Sequence, residues 1–486
     1  MKKIYRLLYS NKFVAMVMLL MQIITFVAMY IWISDYSKVL FGLSTVLSAV
    51  LIIFEINRTE ESTFKMTWIT LIAIIPIFGA LFYLFTRAQG VSMNIGDDYK
   101  NIQEANKKYL VQDNDVMKNI YQTDKNQDGF ARYLSKYGGS PAYTNTGVQY
   151  YSIGERMFED MKKELLKAEK FIFLEFFIIN HTSRMWNEIL EILKKKVKQG
   201  VEVRVMYDGM GCIVTLPRKY NEYLERQGIK CRIFSPIVPL LSTHQNNRDH
   251  RKIMVIDGAV VFCGGINISD EYINEKMRFG HWKDTGFMLR GEAVAGFTAM
   301  FLEMWNVNDE HIEDCGEYIQ ASKKYSVSTD GFVIPFGDTP LDEVYVGKRA
   351  YINNLNNASE YTYIMTPYLV IDDEMYECMK YAAQRGVDVK IIMPHIPDKK
   401  YAFYLARTYY KELLKAGIEI YEYTPGFVHA KMSISDGKKA IVGTVTTITE
   451  VCIFTMNVRP ICLMYRRLWI LNVISKTRLN CHRRLH

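Results

Sequence analysis

The sequence predicts an α/β protein built of two duplicated lobes, each with a mostly parallel sheet, preceded by two or three transmembrane helices. Three observations predict it. The first 86 residues carry three uncharged apolar runs. The rest alternates short β-branched or aromatic runs with segments of helical period. Within that alternation, three blocks occur twice and in the same order.

The apolar runs are Phe13–Ile33, Val39–Phe54 and Met66–Phe85. A bilayer core takes about 20 apolar residues as helix, so the first and third qualify and the second is a short span or an interfacial segment. Trp32, Tyr36, Trp68 and Tyr83 stand near the run ends, where aromatic belts sit. The start is basic, as a signal peptide would be, but the first run is too long and is followed by further runs; uncleaved anchors are expected. Lys2, Lys3, Arg6 and Lys12 favour a cytoplasmic N-terminus. Two spans would then leave the remainder inside and three would leave it outside. The expected location is the cell membrane, multi-pass.

Residues 87–145 read as a polar linker with one amphipathic helix. The first lobe then spans 146–310. Phe171–Ile179 is a continuous apolar and aromatic run, expected as a buried strand, followed by a helical segment Met185–Gln199 and a strand Val201–Tyr207. The pattern returns in a second lobe, 311–445. KKKVKQGVEVRVMY (194–207) is matched by CMKYAAQRGVDVKIIM (378–393). NEYLERQGIKCRIFSP (221–236) is matched by YKELLKAGIEIYEYTP (410–425), and HRKIMVIDG (250–258) by HAKMSISDG (429–437).

The net charge of +8 suits an anionic membrane surface or a phosphate substrate and does not by itself argue for nucleic acid. The eight cysteines form no C-x-x-C pair and no zinc-type cluster with histidine. Reduced thiols, no metal and no cofactor are expected.

The most specific signal is H-x-K-x-x-x-x-D, present as His250, Lys252, Asp257 and as His429, Lys431, Asp436. A strand's period of two puts each His and Lys on one face, able to present both to one phosphate. Two imidazoles and two ammonium groups supply a nucleophile, an acid/base and charge for the phosphoryl oxygens. Chance explains one copy of such a motif better than two inside a matched repeat. Each Asp precedes Gly, so a turn role and a supporting catalytic role stand equal.

This duplicated motif resembles the signature of the phospholipase D superfamily. The fuller pattern resembles cardiolipin synthases: NNRDHRKIMVIDG (246–258), GGINISDEY (264–272), HWKDTGFMLRG (281–291) and TPYLVIDDEM (366–375). The resemblance covers residues 1–445. It implies two phospholipase D-like lobes that pass a phosphatidyl group between two phosphatidylglycerol molecules and release glycerol. It also implies His250 as nucleophile, His429 as acid/base and Asn267 as a support for the phosphate. Lys283 stands where the family usually has Arg, which costs bidentate geometry but not charge. The alternatives are a phospholipase D or a phosphatidyltransferase using another alcohol, or a non-catalytic membrane remnant.

Beyond Val445 the resemblance stops. Asp257 to Gly264 and Asp436 to Gly443 have the same spacing, so Asn267 is matched by Thr446. Residues 446–486 carry one acidic residue, Glu450, seven basic ones and three of the eight cysteines. A lost base near codon 446 accounts for this. In that reading Thr446, Ile448, Glu450 and Asn457 stand where Asn, Asp, Arg and Glu belong. The second lobe would then lack the strand and helix that follow Val445, fold poorly and leave the chain with little activity.

Overall fold

A computed structural model describes residues 35–58, 62–88, 91–236, 248–307, 312–338, 344–444, 451–456 and 474–476, with positions 20, 23, 24, 27 and 309. The chain divides into two units, one of residues 1–94 with 237–247 and one of the remainder.

In the first unit the apolar runs give α1 (Asp35–Ile56), α2 (Ser62–Ile74) and α3 (Pro76–Ala88). The third run, expected as one span, is two helices. Pro76 lacks an N–H and disfavours helical geometry at Ile75, so the chain breaks there and restarts with Pro76 as the first residue of α3. The buried carboxylate of Glu55 accepts from Tyr83 Oη at 2.6 Å and pairs with Arg87 at 3.5 Å. Among the described residues no helix is long and apolar enough to cross a membrane; most of the run Phe13–Ile33 lies outside them.

The second unit begins within α4 (Val91–Asn106) and continues with α5 (Asn114–Thr123) and α6 (Lys125–Tyr137). The segment expected as a linker is therefore mostly helix. Asp113 and Asp124 accept from Asp115 N and Asn126 N and start α5 and α6. The spacing of Val116, Met117 and Ile120 gives α5 a buried stripe against Phe332, Ile334 and Phe336.

Lobe one runs β1 (Thr146–Tyr151), α7 (Gly154–Lys167), β2 (Phe171–Phe176), α8 (Arg184–Lys198), β3 (Glu202–Asp208), α9 (Tyr220–Glu225), β4 (Lys230–Phe234), β5 (Lys252–Ile256), β6 (Val260–Gly264), β7 (His281–Lys283), β8 (Gly286–Gly291) and α10 (Val294–Asn306). After α11 (Gly316–Gln320), lobe two runs β9 (Val333–Gly337), α12 (Val346–Asn356), β10 (Tyr361–Met365), α13 (Asp373–Gln384), β11 (Asp388–Pro394), α14 (Lys400–Lys415), β12 (Glu419–Tyr423), β13 (Gly426–Val428), β14 (Lys431–Ser435), β15 (Lys439–Gly443), β16 (Val451–Met456) and β17 (Ile474–Lys476).

The sheet orders are β1-β8-β6-β5-β2-β3-β4 and β9-β16-β15-β14-β10-β11-β12-β17. Strand for strand they match, with β17 added, which is the duplication read in the sequence. The sheets are mixed rather than mostly parallel. Within these two sheets β2-β3-β4 and β10-β11-β12 run parallel; the motif strands β5 and β14 turn back and pair antiparallel on both sides. Alternating side chains of β2 divide between two cores: Ile172, Leu174 and Phe176 pack under α7 and α8, while Phe171 and Phe173 face α10. That second core also takes Met432 and Ile434 of β14, so both sheets and α10 share one core.

Among the described residues the tail forms two strands where none was expected, β16 and the short β17, which pairs antiparallel with β12. The backbone of β16 pairs with β15 and β9 and occupies the place β8 has in lobe one. Residues 445–450, 457–473 and 477–486 lie outside the described residues.

The two motif aspartates sit at the far ends of β5 and β14 from the histidines. Four strand residues at about 3.3 Å rise each separate Lys252 from the end of β5. Asp257 has φ +53° and accepts from the backbone N–H groups of Glu169, Lys170 and Phe171 at 2.8, 2.7 and 2.8 Å. Asp436, φ +52°, accepts in the same way from Ser359, Glu360 and Tyr361. Each carboxylate turns the motif strand and fastens the start of the neighbouring parallel strand. Asp257→Ala leaves three N–H groups short of an acceptor, a loss of about 1–3 kcal/mol. It should lower the midpoint of thermal unfolding followed by circular dichroism, while turnover per folded molecule stays near that of the parent.

Candidate active site

β5 runs antiparallel to β2, which brings His250 to the edge where β2, β3 and β4 end. β14 does the same for His429 beside β10 and β11. The lobes are then joined at this edge by a two-stranded parallel ribbon, β7 with β13, in the register Gly426↔His281 to Val428↔Lys283. Past its end, His429 N donates to Lys283 O at 2.8 Å.

The ribbon delivers Asp284 to the second histidine. His429 Nδ1 lies 2.7 Å from Asp284 Oδ2. Burial alone would raise the pKa of Asp284, but the charge and hydrogen bond of His429, the charge of Lys431 and the Thr285 N–H hold it below the ordinary carboxylate value. An ionised carboxylate only accepts, so Nδ1 carries the proton and Nε2 keeps its lone pair. Lys431 Nζ donates to that Nε2 at 3.0 Å and to His429 O at 2.7 Å. Burial and the ammonium of Lys431 push His429 down to about 4, against the opposing pull of Asp284. Burial takes Lys431 down to about 8.

His250 is half-buried against Phe177, with ring centroids 4.8 Å apart. Burial, then the charges of Lys252, Lys431 and His429, hold it well below the usual imidazole value. Lys252 is buried, donates to His250 O, and lies 5.4 Å from the Phe177 ring centroid; burial and Lys431 depress it strongly. Behind the motif, Arg251 lies 3.7 Å from Glu175 and donates to Met300 O at 3.1 Å. Burial lifts nearby Glu303 to about 7.

Of the residues expected at the site, His250, Lys252, His429 and Lys431 come together from the two lobes, and Asp257 and Asp436 do not. Asn267 is buried, but its amide is engaged: Oδ1 accepts from Ile178 N at 3.0 Å and Nδ2 donates to Tyr272 Oη at 2.8 Å. It fixes the loop after β2 and the Tyr272 ring, which stands 5.6 Å from that of His429. Lys283 turns to Ser152 O, so its charge is spent on a backbone carbonyl. Asp284 was not singled out from the sequence, although it lies inside HWKDT. Among the described residues no group of three His, Cys, Asp or Glu side chains is placed to hold a metal.

Paired H-x-K strands on a duplicated mixed α/β fold define the class, a phospholipase D-like protein. The family described as "Cardiolipin synthase, PLD-like domain" matches residues 161–305 and 351–448, and "Phospholipase_D-nuclease N-terminal" matches 45–87. A cardiolipin synthase of Alkalihalophilus pseudofirmus is 32% identical over 468 residues, 93% of this chain and 90% of that protein. An uncharacterised protein of Streptococcus mutans is 49% identical over 394 residues, 81% of this chain and 85% of that one. The crystal structure of phosphatidylserine synthase from Haemophilus influenzae shares the fold, with TM-score 0.52 at 14% identity over 73% of this chain and 92% of that chain. The chain belongs to the PLD-like cardiolipin synthase family.

The depressed histidines set a pH dependence. A base whose folded pKa lies below its unfolded value takes up a proton more readily when unfolded, so it stabilises the fold above the unfolded pKa and ceases to as pH falls. With His429 at about 4 in the folded protein, and His250 and His281 shifted the same way, the histidines' contribution to stability should be level above about pH 6.5 and decline from there towards pH 4, while Lys431, at about 8, adds a decline of the same sign at higher pH. Chemical denaturation across that range, compared between the parent and His429→Gln, checks it: the variant should show the smaller proton uptake on unfolding. Asp284→Asn should lower kcat by about 10²–10⁴ through loss of the Nδ1–H tautomer; steady-state turnover measures the loss.

Proposed function

We propose that the chain is a cardiolipin synthase that carries a phosphatidyl group from one phosphatidylglycerol to a second, giving cardiolipin and glycerol. The observation that supports this most is the convergence of two imidazoles and two ammonium groups, one pair from each lobe. His250 is half-buried and held neutral by its depressed pKa, the state a nucleophile requires. A nitrogen of His250 attacks phosphorus, the bond from phosphorus to the glycerol oxygen breaks, and the departing oxygen takes a proton from His429. The hydroxyl of the second phosphatidylglycerol then gives its proton to His429 and attacks, and the phosphorus–nitrogen bond breaks. Lys252 and Lys431 face the phosphoryl oxygens throughout. Their charges depress His429 in the empty site; a phosphodiester anion between them offsets that and raises His429 towards a proton-donating value.

The partners in this reading are phospholipids and the membrane, with attachment through the apolar N-terminal runs and no role for nucleic acid. His250→Ala and His429→Ala should each abolish transfer, and their losses should not add. Assay with radiolabelled phosphatidylglycerol checks it. Cardiolipin with glycerol supports the synthase, phosphatidic acid would make the protein a hydrolase, and an absence of turnover would make it a remnant. Because the four side chains supply every role, transfer should persist in excess EDTA.

The tail belongs to this proposal as a segment read in a shifted frame. With β16 paired on both sides, a wholly missing strand is no longer part of it. The altered residues are Thr446, Ile448, Glu450 and Asn457. Restoring one base near codon 446 should raise cardiolipin formation over that of the chain as written. Equal rates in the two would establish residues 446–486 as a genuine C-terminus.

A further inference from the structure

We infer that the rim around the two histidines is a docking surface for an anionic phospholipid bilayer, built from exposed apolar tips of both lobes with basic residues between them. This rests on the proposed reaction, whose two substrates are lipids, but it concerns how the site meets them.

Strand direction fixes which loops form the rim. His250 stands at the edge where β2 and β3 end, and β6, antiparallel to β5, ends there too. The loops 209–219 and 265–280 therefore rise beside it. His429 stands where β11 ends, so the first turns of α14 rise beside the second lobe's motif. These tips approach one another: a Cβ on Gly280 would lie 3.3 Å from Ile396, just before α14.

On this rim large apolar side chains face outward. Met277 is 84% exposed, Val214 73%, Tyr401 73% and Tyr404 63%. The α14 pattern is the informative one. A helix packed on a sheet turns its polar face to water, and the last turns of α14 do so with exposed Lys411, Glu412 and Lys415. The first turns instead expose Tyr401 and Tyr404, three apart and so neighbours on one face. Tyrosine suits the boundary between headgroups and acyl chains, with an apolar ring and a polar tip. Lys276 and Lys400 are exposed beside Met277 and Tyr401, and phosphatidylglycerol headgroups are anionic, so charge and apolar surface match the same partner. A diacyl lipid reaching the two histidines has to leave a bilayer, and these tips stand where it would leave.

The test uses the full chain reconstituted in vesicles of phosphatidylglycerol and phosphatidylcholine. A photoreactive benzophenone amino acid replaces Met277, Tyr404 or, as a control, Tyr381, which is 60% exposed at the far end of α13. Irradiation should yield lipid adducts at the first two positions and few at Tyr381, with adducts falling several-fold in Lys276→Gln/Lys400→Gln. This readout does not need turnover, so it stands apart from failure of the synthase reading. In an active chain, Met277→Glu/Tyr404→Glu should raise the apparent KM for vesicle lipid about ten-fold and leave the rate on a monomeric short-chain phosphatidylglycerol unchanged. Equal adducts at all three positions, protein–protein adducts at Met277 and Tyr404 in place of lipid, or equal losses on vesicle and monomeric substrate would overturn the proposal.

Discussion

The hydrogen bond between His429 Nδ1 and Asp284 Oδ2 joins a motif strand of one lobe to a loop of the other, 145 residues away in sequence, and the arrangement of the site depends on it. Neither lobe alone can hold a neutral imidazole with a defined tautomer: lobe two brings the ring, and lobe one brings the anion that orients it. The ribbon of β7 and β13 makes this possible by carrying the Asp284 backbone alongside the approach to His429. The same bond selects which nitrogen meets the phosphate, because a proton fixed on Nδ1 leaves Nε2 as the reactive atom. Two ammonium groups buried beside two histidines would be costly without an anion nearby. Asp284 supplies one such charge, and a bound phosphodiester would supply another.

The duplication is close in the sheets and loose in the connections. The strand orders match, and both motif aspartates perform the same task on backbone N–H groups one strand away. Between β6 and β8, lobe one inserts residues 265–285, with Asn267, Tyr272, β7 and Asp284. Between β15 and β16, lobe two has only residues 444–450. The elements that orient His429 therefore come from the long insertion of lobe one, and lobe two has no room for a segment of that length.

The sequence makes the four motif side chains legible because the repeat lets each copy check the other. It also shows the strands read at Phe171–Ile179 and Val201–Tyr207 and the helix read at Met185–Gln199, which the structure has at Phe171–Phe176, Glu202–Asp208 and Arg184–Lys198, where apolar runs and helical period are clear. Asp284 was not legible, because its partner lies in the other lobe and no local spacing records a contact across lobes. Asp257 and Asp436 were ambiguous for a related reason: a carboxylate before glycine serves a turn or a site equally well on paper, and only the direction of β5 and β14 separates the two. Mixed pairing was hidden because a βα repeat resembles a parallel sheet until the strand after the motif turns back. The helices of 91–137 were hidden by their polarity, since each buries a narrow stripe: Tyr99 and Ile102 in α4, Val116, Met117 and Ile120 in α5, and Phe130, Ala131 and Leu134 in α6. The break in Met66–Phe85 was written in Pro76 and was outweighed by the apolar run around it.

The central claim is that the two lobes assemble one two-histidine centre in which His429 is neutral, with its proton on Nδ1 directed at Asp284. Nitrogen-15 magnetic resonance of ring-labelled histidine, assigned with His429→Gln, reads this directly. The account predicts a neutral ring protonated on Nδ1 at pH 7, moving to the Nε2–H form or a mixture in Asp284→Ala. An imidazolium at pH 7, or a neutral ring already protonated on Nε2 in the parent protein, would contradict it.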